Sequence, residues 1–187
     1  MTRALRILVF ALMVGFASPG QAARIEGVDF RDHISIDGVA LNLHGTALLR
    51  YRVFFRAYVA ALYLAPGTKG DDVLTDVPRR LEIEYFWSIP AHGFVRATSD
   101  GVRKNVDAQS WERIRADVDR FNALYVDVEP GDRYQLTYLP GMGTEIALNG
   151  VRRGHIAGAE FAAALFSLWL GEYPFDASLK SQLLNSH

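Results

Sequence analysis

From Thr46 to Leu64 the chain is rich in Val, Phe, Tyr and Leu and contains no Gly, Pro, Asn or Asp. Aromatic and β-branched residues fit a pleated, half-buried surface, so the run predicts one long strand, bent or bulged along its length and closed by Pro66-Gly67. Its surroundings read as hairpins. His33 to Ile36 and Val39 to His44 alternate around Asp37-Gly38, and Thr144 to Leu148 faces Val151 to Ile156 across Asn149-Gly150. Both dipeptides accept the positive φ angles of a two-residue hairpin turn. Arg80 to Trp87 alternates Leu81, Ile83 and Tyr85 with Glu82, Glu84 and Phe86, which predicts a strand with one buried face, and Arg133 to Leu139 predicts another.

The helical signals have a different period. Trp111, Ile114, Val118, Phe121 and Leu124 form one apolar stripe, while Glu112, Arg113, Arg115, Asp119 and Arg120 fall elsewhere, so this helix covers a sheet. A helix is expected from Ala91 to Asn105. Ala159 to Leu170 is apolar almost all round and predicts a core helix, with Gly171 as a left-handed stop. Asp176 is an N-cap for a last short helix carrying Leu179, Leu183 and Leu184. Hairpins followed by separate helices, without strict βαβ alternation, predict an α+β fold: an antiparallel sheet with helices gathered on one face.

The first residues are of another kind. Arg3 and Arg6, an apolar run from Ile7 to Ala17, and Ser18-Pro19-Gly20-Gln21-Ala22 are the charged, apolar and small-residue regions of a secretory signal peptide. The run is too short to span a bilayer comfortably, for which about 20 apolar residues are needed, which leaves an uncleaved membrane anchor as the lesser alternative. Cleavage after Ala22 divides the chain into residues 1–22, the signal peptide, and 23–187, one domain with no stable membrane anchor. Three Lys against seventeen Arg hint at a GC-rich bacterial genome, hence a periplasmic or secreted location. Removing residues 1–22 takes away two Arg and no acid, so the net charge falls from −1 to −3, leaving no basic field for nucleic acid.

The absence of cysteine rules out thiolate catalysis and cysteine metal sites. His33, His44, His92, His155 and His187 do not take the zinc-protease spacing, no Ser sits in a Gly-x-Ser-x-Gly elbow, and Pro140-Gly141-Met142-Gly143-Thr144 lacks the Lys of a phosphate loop. No metal and no cofactor is expected. On the long strand Arg50, Arg52 and Arg56 share parity with Phe54 and Tyr58, while Leu49, Val53, Phe55, Val59 and Ala61 take the other. An Arg pointing into an apolar cleft would need an anion, and a ligand carboxylate would supply one. The alternative is that these arginines are solvated or bridged to acids such as Glu82 and Glu84. Tyr58 and Tyr63 could donate to the same anion or serve as packing, and Asn105 could orient a ligand or cap its helix.

Gly45-Thr46-Ala47-Leu48-Leu49-Arg50 and the segment from Phe54 to Leu64 resemble the central strand region of chalcone-isomerase-like proteins. Gly131-Asp132, Leu139-Pro140-Gly141-Met142-Gly143-Thr144, Asn149-Gly150, Phe161 and Trp169-Leu170-Gly171 resemble the bacterial branch of that family. The resemblance implies an open-faced β-sandwich, a large antiparallel sheet under a helical layer with a ligand cleft between them. It also implies one of two functions, intramolecular lyase chemistry on a chalcone-type unsaturated carbonyl or non-catalytic binding of a fatty acid. By this resemblance the isomerase's catalytic Arg falls on Arg50 and its long-strand Thr on Tyr58. The helix that begins with a catalytic Tyr and ends with Asn falls on Thr98 to Asn105, with Thr98 in place of the Tyr.

Two of these four positions depart from the isomerase, and the missing phenol is a group that would stabilise an enolate. The pattern therefore favours binding. The expected ligand is a fatty acid or similar amphipathic carboxylate held by Arg50 and Tyr58, with Thr98 and Asn105 beside it. The alternatives are an intramolecular lyase or isomerase, and an interaction protein whose sheet face docks a partner.

Overall fold

The computed structural model describes residues 22–51 and 55–185. The signal-peptide reading of residues 1–22 lies, but for Ala22, outside the described residues, as does Arg52. Strands β1 (Ala22–Ile25) and β2 (Val28–Arg31) form a separate hairpin. Seven more make one antiparallel meander in chain order: β3 (His33–Ile36), β4 (Val39–Tyr51), β5 (Phe55–Leu64), β6 (Arg79–Tyr85), β7 (Arg133–Leu139), β8 (Gly143–Leu148) and β9 (Val151–Ile156). Helices α1 (Ala91–Asn105) and α2 (Ala108–Asn122) lie between β6 and β7, and α3 (Ala159–Leu170) and α4 (Ala177–Leu184) follow β9. This is the expected α+β architecture. Among the described residues no helix is long and apolar enough to cross a membrane.

The two predicted hairpin turns form with both central residues at positive φ: Asp37 at 50° with Gly38 at 80°, and Asn149 at 52° with Gly150 at 80°. A third turn of the same geometry, Glu26 at 51° and Gly27 at 89°, closes β1 on β2. The run from Thr46 to Leu64 departs from expectation. It is two strands, β4 and β5, paired antiparallel from Asn42↔Leu64 to Tyr51↔Phe55. Nothing in Tyr51 to Phe55 is a customary turn residue, so local chemistry could not mark the reversal. The register also shifts between Leu49↔Tyr58 and Arg50↔Arg56, which leaves Ala57 unpaired as a bulge.

Alternation sorts the sheet's two faces. Ala47, Tyr58, Ala60, Leu62, Leu81, Ile83 and Leu136 join the helices in the main core, where Phe161, Leu165, Phe166 and Leu168 of α3 are buried. Leu41, Val59, Ala61 and Tyr63 point the other way and pack with Val28 and Phe30 of the β1–β2 hairpin. Glu82 and Glu84 share that second face, where Arg133 bridges both and Arg80 pairs with Glu82. At the far end of the helix-side face, Arg79 is fully buried between the rings of Tyr138 and Phe166, its carbon centre 4.6 and 4.7 Å from their centroids. Its Nη1 donates to the carbonyls of Thr75 and Val77 at 2.7 and 3.1 Å, and burial lowers its pKa to about 10.

Two helix ends test local expectation. Asp176 caps α4, its carboxylate accepting from Leu179 N–H at 2.7 Å. Gly171 is not left-handed; it is extended, with φ −78° and ψ −169°. Its glycine is needed for space instead, because a Cβ there would sit 2.5 Å from the side-chain oxygen of Asn105.

Candidate ligand-binding site

Between the helical layer and the sheet the core does not close. A cavity of about 610 Å³ opens there, within the range typical of small-molecule pockets. The sheet supplies Leu49, Ile83 and Leu136, and the bulge turns both Ala57 and Tyr58 toward it. Helix α1 supplies Gly93, Phe94, Ala97 and Thr98, while Trp169 of α3 and Phe175 close one end. Tyr85, Phe94 and Tyr134 brace one another edge to face with centroids 5.3 to 6.2 Å apart, and Tyr125 stacks on Phe94 at 5.2 Å. Edge-to-face packing of this kind favours a fixed arrangement of the rings. Beside it Phe55 and Trp87 stand more than half exposed, and with Ala57 and Ile89 they line an adjoining apolar recess of about 300 Å³.

The polar atoms in this apolar setting are hydroxyls. Tyr58, 8% exposed, receives a hydrogen bond from the Trp169 indole N–H at 3.2 Å. Thr98, 3% exposed, has its hydroxyl 2.9 Å from that of Tyr125. Tyr134 is fully engaged, donating to the Val126 carbonyl at 3.0 Å and accepting from Val126 N–H at 2.9 Å. Burial raises the pKa of Tyr58, Tyr85 and Tyr125, in each case as the largest cause, so all three are neutral phenols across physiological pH.

Of the four residues expected to hold the ligand, Tyr58 and Thr98 are brought to this cavity and two are not. Arg50 lies on the opposite face, half exposed, its guanidinium 3.0 Å from Glu26. Arg56 reaches the other oxygen of the same carboxylate, also at 3.0 Å. The reason is parity: Leu49 faces the cavity, so its neighbour Arg50 faces away, and the bulge at Ala57 sends Arg56 with it. The acid that pairs them is neither Glu82 nor Glu84 but the turn residue of the β1–β2 hairpin.

Asn105 ties the end of α1 to the segment after α3. Its amide donates to the carbonyls of Gly101 and Tyr173 at 3.0 and 2.9 Å and accepts from Tyr173 N–H at 3.0 Å. It is a structural clamp outside the cavity lining. Tyr125 and Trp169, which orient the two hydroxyls, belong to elements remote from them in sequence. The all-round apolar run from Ala159 to Leu170 marked Trp169 as core; nothing local marked Tyr125.

A family model described as chalcone isomerase-like matches residues 22–185. The fold is similar to that of a fatty-acid binding protein from Arabidopsis thaliana, with a TM-score of 0.68 at 15% identity, covering 88% of this chain and 96% of that one. At that identity the likeness is one of fold. No curated protein gives a significant sequence match.

Proposed function

This chain belongs to the chalcone isomerase-like family, and on that premise we propose that the mature protein is a non-catalytic carrier of a small lipid-like molecule. A fatty acid or similar amphipathic compound would occupy the cavity between sheet and helices, after export to the periplasm or medium. The observation that carries this reading is a hollow of about 610 Å³, walled by aliphatic and aromatic side chains with a few placed hydroxyls. The shared fold with a fatty-acid binding protein supports it. The charged, apolar and small-residue order of residues 1–22 supports export.

One observation favours the second reading, an intramolecular lyase acting on a chalcone-type carbonyl. Tyr125 brings a phenol to Thr98, at the helix position where the resemblance lacks one. Stabilising an enolate also calls for a cation or several aligned donors, and Arg50 is engaged by Glu26 on the other face. Carriage is therefore the better fit.

Organic extracts of the purified mature protein, analysed by mass spectrometry, should contain a lipid-like molecule, and stripped protein should take up fatty acid from solution. Protein that is always empty and takes up none contradicts the reading. A spectrophotometric chalcone assay should show no turnover above buffer. Protein recovered from the periplasm should begin at Ala23; an intact Met1 there would overturn the export step.

A further inference from the structure

The paired charges of this sheet and the cavity lie on different sides of it, and Arg79, on the helix side, is outside the cavity lining and engaged by the carbonyls of Thr75 and Val77. Arg50 and Arg56 share Glu26, and Arg80 and Arg133 share Glu82 and Glu84, all on the hairpin-side face. Among the described residues that line the cavity, the polar side-chain groups are hydroxyls and the Trp169 indole N–H, which is spent on Tyr58. The hydroxyl donors are not all spent. The oxygen of Tyr58 accepts from Trp169, and its own proton has no acceptor among the described residues. In the Thr98–Tyr125 pair one hydroxyl donates to the other, whose proton remains for a third atom. Tyr58 is on the sheet and Thr98 on the helical wall, so both layers present an O–H. A phenol that already accepts a hydrogen bond is a better donor, since linked bonds polarise one another.

Donors without a cation suit a neutral acceptor. A carbonyl oxygen gains a hydrogen bond and leaves no buried charge, whereas an ionised carboxylate would be stripped of water with only hydroxyls to replace it. We propose that the cavity recognises the uncharged carbonyl end of its ligand, as in an ester, ketone, aldehyde or protonated carboxylic acid, with the Tyr58 hydroxyl as the principal donor. This rests on the carrier reading of the same cavity and narrows it: free fatty acid is bound in its protonated form.

The test compares methyl decanoate, decane and decanoic acid with purified mature protein by isothermal titration. At pH 8 the ester should bind at least about tenfold more tightly than the ionised acid. The acid's affinity should fall about tenfold per pH unit above its own pKa, near 5, as the neutral form is depleted. Tyr58→Phe should lose the ester's advantage over decane. Acid that binds as tightly as ester, with no dependence on pH, would overturn the proposal by placing the head group out in solvent. Ester and decane of equal affinity in the unmodified protein would also overturn it, while leaving carriage intact. Failure of all three ligands to bind would remove the carrier reading and this proposal together.

Discussion

The two faces of one sheet have been put to different uses. On the hairpin side, Val28, Phe30, Leu41, Val59, Ala61 and Tyr63 make a small packed core, and the cleft of about 460 Å³ beside it is walled by Arg80, Glu82 and Arg133. On the helix side the larger core leaves a hollow whose polar side chains are tyrosines, one threonine and the Trp169 indole. The charged cleft largely neutralises itself, because Arg80 and Arg133 already have carboxylates. The neutral cavity leaves donor capacity unused. A strand residue and its neighbour belong to different faces, so a single register step decides whether a side chain enters the self-satisfied surface or the receptive one.

The largest expected effect is one of pH and falls mostly on the helix side, the hairpin side contributing Tyr63, whose pKa burial also raises. Tyr58, Tyr85, Tyr125, Tyr134 and Tyr138 on the helix side all have pKa values raised chiefly by burial, that of Tyr138 to about 12. Below the ordinary phenol value of 10 both folded and unfolded chains keep these protons. Above it the unfolded chain loses them first, so stability falls by about 1.4 kcal/mol per pH unit for each such tyrosine, until the folded pKa is passed. Arg79 works weakly the other way, since its lowered pKa means that the unfolded chain holds the extra proton above pH 10. Denaturant midpoints followed with tyrosinate absorbance should therefore collapse above pH 10, most phenols ionising only on unfolding. Five tyrosines ionising near pH 10 in folded protein would contradict the buried phenolic wall.

Phe30→Ala empties the centre of the hairpin-side core and should destabilise by about 3–5 kcal/mol in chemical denaturation, with lipid uptake unchanged at temperatures where the variant is folded. Glu82→Gln removes the carboxylate shared by Arg80 and Arg133, which are about one-fifth exposed. The loss should be about 2–4 kcal/mol, toward the lower figure because water reaches both arginines. Arg50→Ala breaks an exposed pair and should change stability by at most about 1 kcal/mol, an effect that added salt diminishes.

Much of this fold was legible in local chemistry. Asp37-Gly38 and Asn149-Gly150 announce their turns because φ > 0 is a demand on single residues, and the stripe from Trp111 to Leu124 announces its covered face because helical period is regular. The family resemblance picked out Tyr58 and Thr98, and both reach the cavity. What escaped depends on distant partners. The reversal between Tyr51 and Phe55 is made of strand-forming residues, so nothing divided β4 from β5. The bulge at Ala57 inverts parity without a sequence mark, and that inversion sends Arg56 to the outer face. Glu26, which holds both Arg50 and Arg56, precedes them by more than twenty positions and sits in a turn whose Glu-Gly pair is a weaker signal than Asn-Gly or Asp-Gly.

The central claim is that the ligand enters the helix-side hollow and that the arginine face takes no part. It is tested most directly by titrating a fatty ester into two variants whose thermal transitions remain cooperative: Ala57→Phe, which projects a ring into the hollow, and Arg50→Ala, which strips the opposite face. The account predicts that Ala57→Phe loses binding by at least about tenfold while Arg50→Ala binds like the unmodified protein. Binding that survives the filled cavity and disappears with Arg50 would contradict it.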